Sequence, residues 1–299
     1  MSDSNHEQRE VDEITGTQTT GHEWDGIKEL DTPMPRWWVW TFYATIAFSI
    51  GYVIYYPAIP LLTTSTVGIS GITARSLVEE ELATARAAQA KLADRLVKAN
   101  LEDVRKDQQL YRFAVAGGQS LYKVYCSQCH GSGAQGAAGI PNLNDDDWLW
   151  GGDLKSLRTT IAHGVRDTAD ENARASEMPA FGRDEILSAD EISAVTEYVL
   201  RLASQDHDQG KADAGKALYA DNCASCHGDN GRGIREFGAP NLADALALYG
   251  ATREELKQQI KLPKHGVMPA WLKRLGEARV RQLAIYVHGL GGGEKPKQE

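Results

Sequence analysis

Cys126-Ser127-Gln128-Cys129-His130 and Cys223-Ala224-Ser225-Cys226-His227, each followed by Gly, contain all four cysteines of the 299-residue chain. In C-x-x-C-H, two thiols two residues apart can each add across one vinyl group of a haem while the adjacent imidazole reaches the iron. Two such stretches predict two covalently bound c-type haems, held through Cys126, Cys129, Cys223 and Cys226, with His130 and His227 as axial ligands of the irons. A redox C-x-x-C pair or half of a structural zinc site is the competing interpretation. Neither accounts for a His directly after both pairs.

The surrounding sequence repeats. Leu121-Tyr122 precedes the first motif as Leu218-Tyr219 precedes the second, at the same offset of 97 residues that separates His130 from His227. Pro141-Asn142-Leu143 returns as Pro240-Asn241-Leu242, and His163-Gly164-Val165 as His265-Gly266-Val267. Each half then reaches a Met-Pro pair and a closing amphipathic helix. Ser188-x-x-Glu191 opens the first of these helices as a capping box, with Ile192, Val195, Val199 and Leu202 on one face; Val280, Leu283, Val287 and Leu290 repeat that spacing. Two helical domains are expected, 114–204 and 208–291, divided by a polar stretch from Ser204 to Gly210. Strand-like alternation is absent, so the fold class is all-α.

What fills the second axial position decides the chemistry. The four methionines are Met1, Met34, Met178 and Met268, and only the last two fall in the repeats. Each precedes Pro, which stiffens its loop and biases Met towards an extended backbone. Met178 and Met268 are therefore the expected axial partners, with ligation inside each half as the default, although linear spacing leaves exchange between halves open. His163 and His265 are rivals, better placed to end helices at the following Gly. His207 and His288 suit surface or capping roles. Two Met-ligated irons would be closed to substrate, which is electron-transfer chemistry. Gly131, Gly133, Gly228, Gly231 and Gly233 permit close backbone approach to a ring, and Trp148, Trp150, Tyr249 and Trp271 are candidate pocket walls.

Net charge is −9. Residues 1–56 hold nine acidic against three basic side chains, so the remainder, with thirty-two against twenty-nine, is nearly neutral. No clustered basic face for nucleic acid is present. Residues 1–35 are polar and acidic without periodicity, and are expected to be a disordered cytoplasmic tail. Trp37 to Tyr56 are twenty uncharged residues ending at Pro57, long enough for roughly 30 Å of hydrocarbon. Aromatics crowd both ends, as in interfacial belts. This gives a transmembrane helix at 36–57. Lys28 and Arg36 precede the span and no basic residue follows until Arg75, which puts the N-terminus in the cytoplasm and the haem domains outside. Residues 58–113 are expected to form a periplasmic linker containing an amphipathic helix that opens at Ser76-x-x-Glu79 and is broken near Asn100; 292–299 is expected to be a disordered tail.

The run Trp24 to Pro57, WDGIKELDTPMPRWWVWTFYATIAFSIGYVIYYP, followed by two class I-like cytochrome c domains, resembles the dihaem membrane-anchored subunit of cbb3-type cytochrome c oxidases. The resemblance implies a respiratory complex in a bacterial cytoplasmic membrane, with a haem-copper catalytic subunit and a monohaem cytochrome c subunit as partners. It also implies a non-catalytic relay, taking electrons from a cytochrome c towards the oxygen-reducing site. A membrane-anchored dihaem cytochrome serving another respiratory dehydrogenase or reductase, or a dihaem peroxidase, is the alternative.

Overall fold

A computed structural model describes residues 10–244 and 248–295. Contacts divide the chain into two compact units, residues 1–86 and 87–299. In the first, strands β1 (Thr19–Trp24) and β2 (Ile27–Leu30) form an antiparallel hairpin. Asp25 and Gly26 make its turn, both at positive φ, as a two-residue hairpin loop requires. The expectation of disorder over residues 1–35 is thus corrected for residues 10–30, while residues 1–9 lie outside the described residues. The strands are polar and almost wholly exposed, which is why alternation did not announce them.

Helix α1 (Arg36–Tyr55) begins after Pro35 and has no buried residue. It is the one helix among the described residues long and apolar enough to cross a membrane. Its hydroxyls donate within the helix, Thr41 Oγ1 to Trp37 O and Ser49 Oγ to Thr45 O. That removes polar groups which lipid could not satisfy.

Helix α2 (Ala74–Lys98) is capped by Thr73, which exchanges hydrogen bonds with Ser76, so the start lies one turn earlier than the Ser76-x-x-Glu79 pattern suggests. Residues 74–91 are exposed; only the last turns enter a core, where Leu92, Leu96 and Ala99 meet Val104, Leu110, Ala114, Leu154 and Ile285. The helix does break near Asn100, whose side chain caps a short 3-10 turn, Leu101–Lys106.

The C-terminal unit is otherwise helical: α3 (Gln108–Tyr125), α4 (Ser127–His130), α5 (Leu154–His163), α6 (Ala189–Leu202), α7 (Gln209–Asn222), α8 (Ala224–His227), α9 (Arg253–Lys261), α10 (Leu272–Leu275) and α11 (Glu277–His288). The capping box at Ser188 and Glu191 is present, as expected. The packing, however, crosses the sequence repeats. Helix α11 lies on α3 and α5, and its Val280, Leu283, Ala284 and Val287 share a core with Tyr122, Leu157 and Ile161. Helix α6 lies on α7 and α9, with Ile192, Val195, Tyr198 and Val199 packed on Tyr219 and Ile260. Each closing helix therefore completes the other repeat. The first core is assembled from both ends of the unit, and the second is nested inside it.

Glycines let the paired helices touch. A Cβ on Gly118 of α3 would lie 2.3 Å from Gln282 O, and one on Gly215 of α7 would lie 2.1 Å from Ala194 O. Glu277 joins α11 to its neighbours: it accepts from Arg158 on α5 and from Arg281, whose other end caps α2 at Leu96 O and Ala99 O. In the second core, Glu197 accepts from Arg253 and from the backbone N–H of Asp208. Of the tail expected to be disordered, residues 292–295 are tied down, Trp148 Nε1 donating to Gly292 O and Glu294 pairing with Arg235, while residues 296–299 lie outside the described residues.

Candidate haem sites

Each motif turns on the end of a long helix. Helix α3 runs into Cys126, the four residues of α4 make one turn, and Gly131 at φ 81° breaks it; α7, Cys223, α8 and Gly228 at φ 75° do the same. Tyr122 Oη donates to Gly131 O at 2.8 Å, and Tyr219 Oη to Gly228 O at 2.8 Å. These bonds fasten the exit of each turn to the helix before it.

The imidazoles are oriented in the same way. His130 Nδ1 lies 3.0 Å from Pro141 O and His227 Nδ1 lies 3.1 Å from Pro240 O. A carbonyl accepts only from a protonated nitrogen, so the proton is on Nδ1 and the Nε2 lone pair is free, as a metal ligand requires. Burial lowers both histidine pKa values below the ordinary range, outweighing the opposing carbonyl bonds, and the rings are neutral at pH 7. Burial also pushes the Cys126 and Cys223 thiols up to about 11, with a smaller contribution from the neighbouring cysteine of each pair. Among the described residues no group of three or more His, Cys, Asp or Glu could hold a metal ion.

A mostly apolar cavity opens before each motif. Cys126, Cys129 and His130 face one bounded by Leu157, Ile161, Leu283 and Val287. Cys223, Cys226 and His227 face one bounded by Phe181, Val195, Val199 and Ile260. The methionines are exchanged: Met268 lines the first cavity and Met178 the second. The default of pairing inside each half would put each methionine beside its own motif; the packing puts it in the cavity of the other. The cause is the packing itself, since each Met loop leads into a closing helix and travels with it. Thioether, imidazole, paired thiols and an apolar slot make a donor set that fits covalently held haem in both cavities.

The other candidates divide. His163 Nδ1 binds the Asp170 carboxylate at 3.2 Å and lines neither cavity. His265 lines the second cavity but is exposed, whereas Met178 packs against the buried core. His207 bonds Gln205 and Gln209, and His288 bonds Arg105 and Glu294 O. Trp148, Trp150, Tyr249 and Trp271 all line the first cavity, and Tyr249 lines the second as well. Sequence reasoning missed Pro141 and Pro240 as imidazole acceptors, although the repeated Pro-Asn-Leu was the available signal. It also missed Arg166, which lines both cavities.

Residues 16–63 match the family described as the N-terminal domain of cytochrome oxidase-cbb3, FixP. Residues 113–199 and 210–287 match the family described as cytochrome c oxidase, cbb3-type, subunit III. The cbb3-type cytochrome c oxidase subunit FixPc of Rhizobium leguminosarum bv. viciae is 51% identical over 286 residues, covering 96% of this chain and 99% of that protein. Subunit FixP of Sinorhizobium medicae is 52% identical over 286 residues, 96% of this chain and 98% of its own length. Subunit CcoP of Cereibacter sphaeroides is 50% identical over 276 residues, 92% and 95% respectively.

Proposed function

The chain belongs to the family of subunit III of cbb3-type cytochrome c oxidases, and we propose that it carries two c-type haems as a closed, non-catalytic relay. The carrying observation is the duplicated site: two thiols, an imidazole whose Nδ1 is committed to a proline carbonyl, and one methionine across each cavity. Haem bound there supplies a one-electron carrier, and a thioether ligand favours a higher potential than a second imidazole would.

His130 and Met268 would hold the iron of a haem attached at Cys126 and Cys129; His227 and Met178 would hold that of a haem attached at Cys223 and Cys226. Met178 is preferred to His265 because it stands with the packed core. With an imidazole and a thioether available in each apolar cavity, a bound haem would be left no position for substrate. Helix α1 anchors the chain in the bacterial cytoplasmic membrane, its N-terminus cytoplasmic by the placing of Lys28, Arg36 and Arg75. The haem units then lie in the periplasm, where cytochrome c maturation takes place. The electron donor is a cytochrome c, electrons pass towards the haem-copper catalytic subunit, and the monohaem cytochrome c subunit of the same oxidase is a further partner.

Haem content and ligand variants test this together. The full-length chain should carry two haems, and Cys126→Ala with Cys129→Ala should leave one. In that one-haem protein Met178→Ala should abolish the remaining methionine-to-iron charge-transfer absorption while Met268→Ala spares it. The reverse pattern would sink the crossed assignment, and a reduced protein that binds carbon monoxide at either haem would sink the closed relay.

A further inference from the structure

The two cavities share a wall formed by Leu149, Arg166, Leu248 and Tyr249. Arg166 is the cation in that wall, and what its guanidinium holds is specific. Nε donates to Gly266 O at 2.7 Å and one terminal nitrogen donates to Ser176 O at 2.7 Å. Gly266 stands two residues before Met268, and Ser176 stands two residues before Met178. One planar fork thus grips the equivalent point in both methionine loops. Its backbone is in the left-handed region at φ 52°, unusual for a side chain of this size, and its amide N–H is anchored on Arg174 O at 2.7 Å. Gly266 is held at its other backbone group too, its N–H donating to Tyr249 Oη at 2.8 Å. Among the described residues no carboxylate pairs with Arg166.

We infer that Arg166 is a positioning residue shared by the two haem sites: a single guanidinium that fixes both methionine loops and ties the ligation and reduction potential of each site to the other. The inference rests on the ligand assignment proposed above. Arginine suits the task because its donors leave in fixed, coplanar directions, so two acceptors bound at once fix each other's positions; lysine offers a point charge without that fork. An unpaired positive charge beside both cavities also favours the electron-rich state of each. Release of one loop removes one of the two acceptors that hold the fork, and the other loop loosens.

The test uses the full-length, haem-loaded chain in detergent. Potentiometric titration gives both midpoint potentials, and heating gives the temperature at which each methionine-to-iron absorption is lost. Arg166→Gln should lower both potentials and both loss temperatures. Arg166→Lys should bring the potentials back towards wild type while the loss temperatures stay low, since charge returns without the fork. A change confined to one haem, or no change, overturns the proposal. Should Arg166→Gln fail to accumulate, Met178→Ala alone serves: it should lower the loss temperature at the Met268 site, and an unaltered Met268 site overturns the coupling. A wild-type chain showing neither absorption overturns the ligand assignment and the Arg166 role with it, whereas intact absorptions insensitive to Arg166 overturn the role alone.

Discussion

Glu197 shows how a single buried charge governs part of the fold. Its side chain is 4% exposed, and Arg253 Nε lies 2.7 Å from its carboxylate while the Asp208 N–H donates at 2.8 Å. The Arg253 bond, opposed by burial, holds its pKa below the usual carboxylate range. A carboxyl depressed in the folded state stabilises fully above its unfolded pKa, and that contribution fades as pH falls through the folded value. Glu197→Gln should cost about 2 kcal/mol at pH 7, the scale of hydrogen bonds to charged groups. Its deficit should shrink as the pH is taken below about 4.3, the unfolded value for Glu. Denaturant titrations of both proteins at pH 7 and pH 3.5 measure this, and a deficit independent of pH would refute it. Nothing in the sequence marked Glu197, which occupies an ordinary polar position between core residues of α6. The two C-x-x-C-H stretches were legible because covalent attachment demands fixed spacing, whereas an ion pair between residues 197 and 253 depends on a chain path that spacing does not encode.

At the level of elements, the two long-helix crossings are fixed by matching glycines. Gly118 and Gly215 differ by the same 97 residues as the histidines, and each faces backbone of the closing helix. Alanine ordinarily improves a helix by about 1 kcal/mol over glycine. Here the clash with Gln282 O and Tyr286 Cβ is the larger effect, since overpacking costs about 1–3 kcal/mol. Gly118→Ala should therefore lower the melting temperature, and Gly210→Ala, whose Cβ meets only Asp208 Oδ1 at 3.5 Å, should leave it equal or raise it. Calorimetry of the two variants decides, and a stabilised Gly118→Ala would mean that the helices do not cross there. Helix existence was plain from caps and periodicity, as at Ser188. The β1–β2 hairpin was not, because its strands bury no face and only the Asp25-Gly26 turn carried a signal.

Taken whole, the molecule separates what repeats in sequence from what packs in space. Two similar halves have similar apolar faces, so periodicity alone allows each closing helix to cover either. The six-residue link 203–208 chooses: so short a connection makes α6 and α7 antiparallel neighbours, and α11 is left for α3. Deleting residues 276–299 should consequently strip the first haem site, some 150 residues away in sequence, and spare the second. In that truncated chain the methionine-to-iron absorption belonging to the Cys223 site should survive, and survival of the Cys126 site instead would restore pairing within each half. Nesting also sets the order in which the sites can be finished. The chain emerging from its N-terminus offers Cys126 first, yet the walls of that cavity wait for α11, the last helix among the described residues. The Cys223 cavity needs nothing beyond His265, a few residues after α9. The motif translated second is the first to be enclosed, and the earlier one stays open to the attachment machinery until α11 has been made.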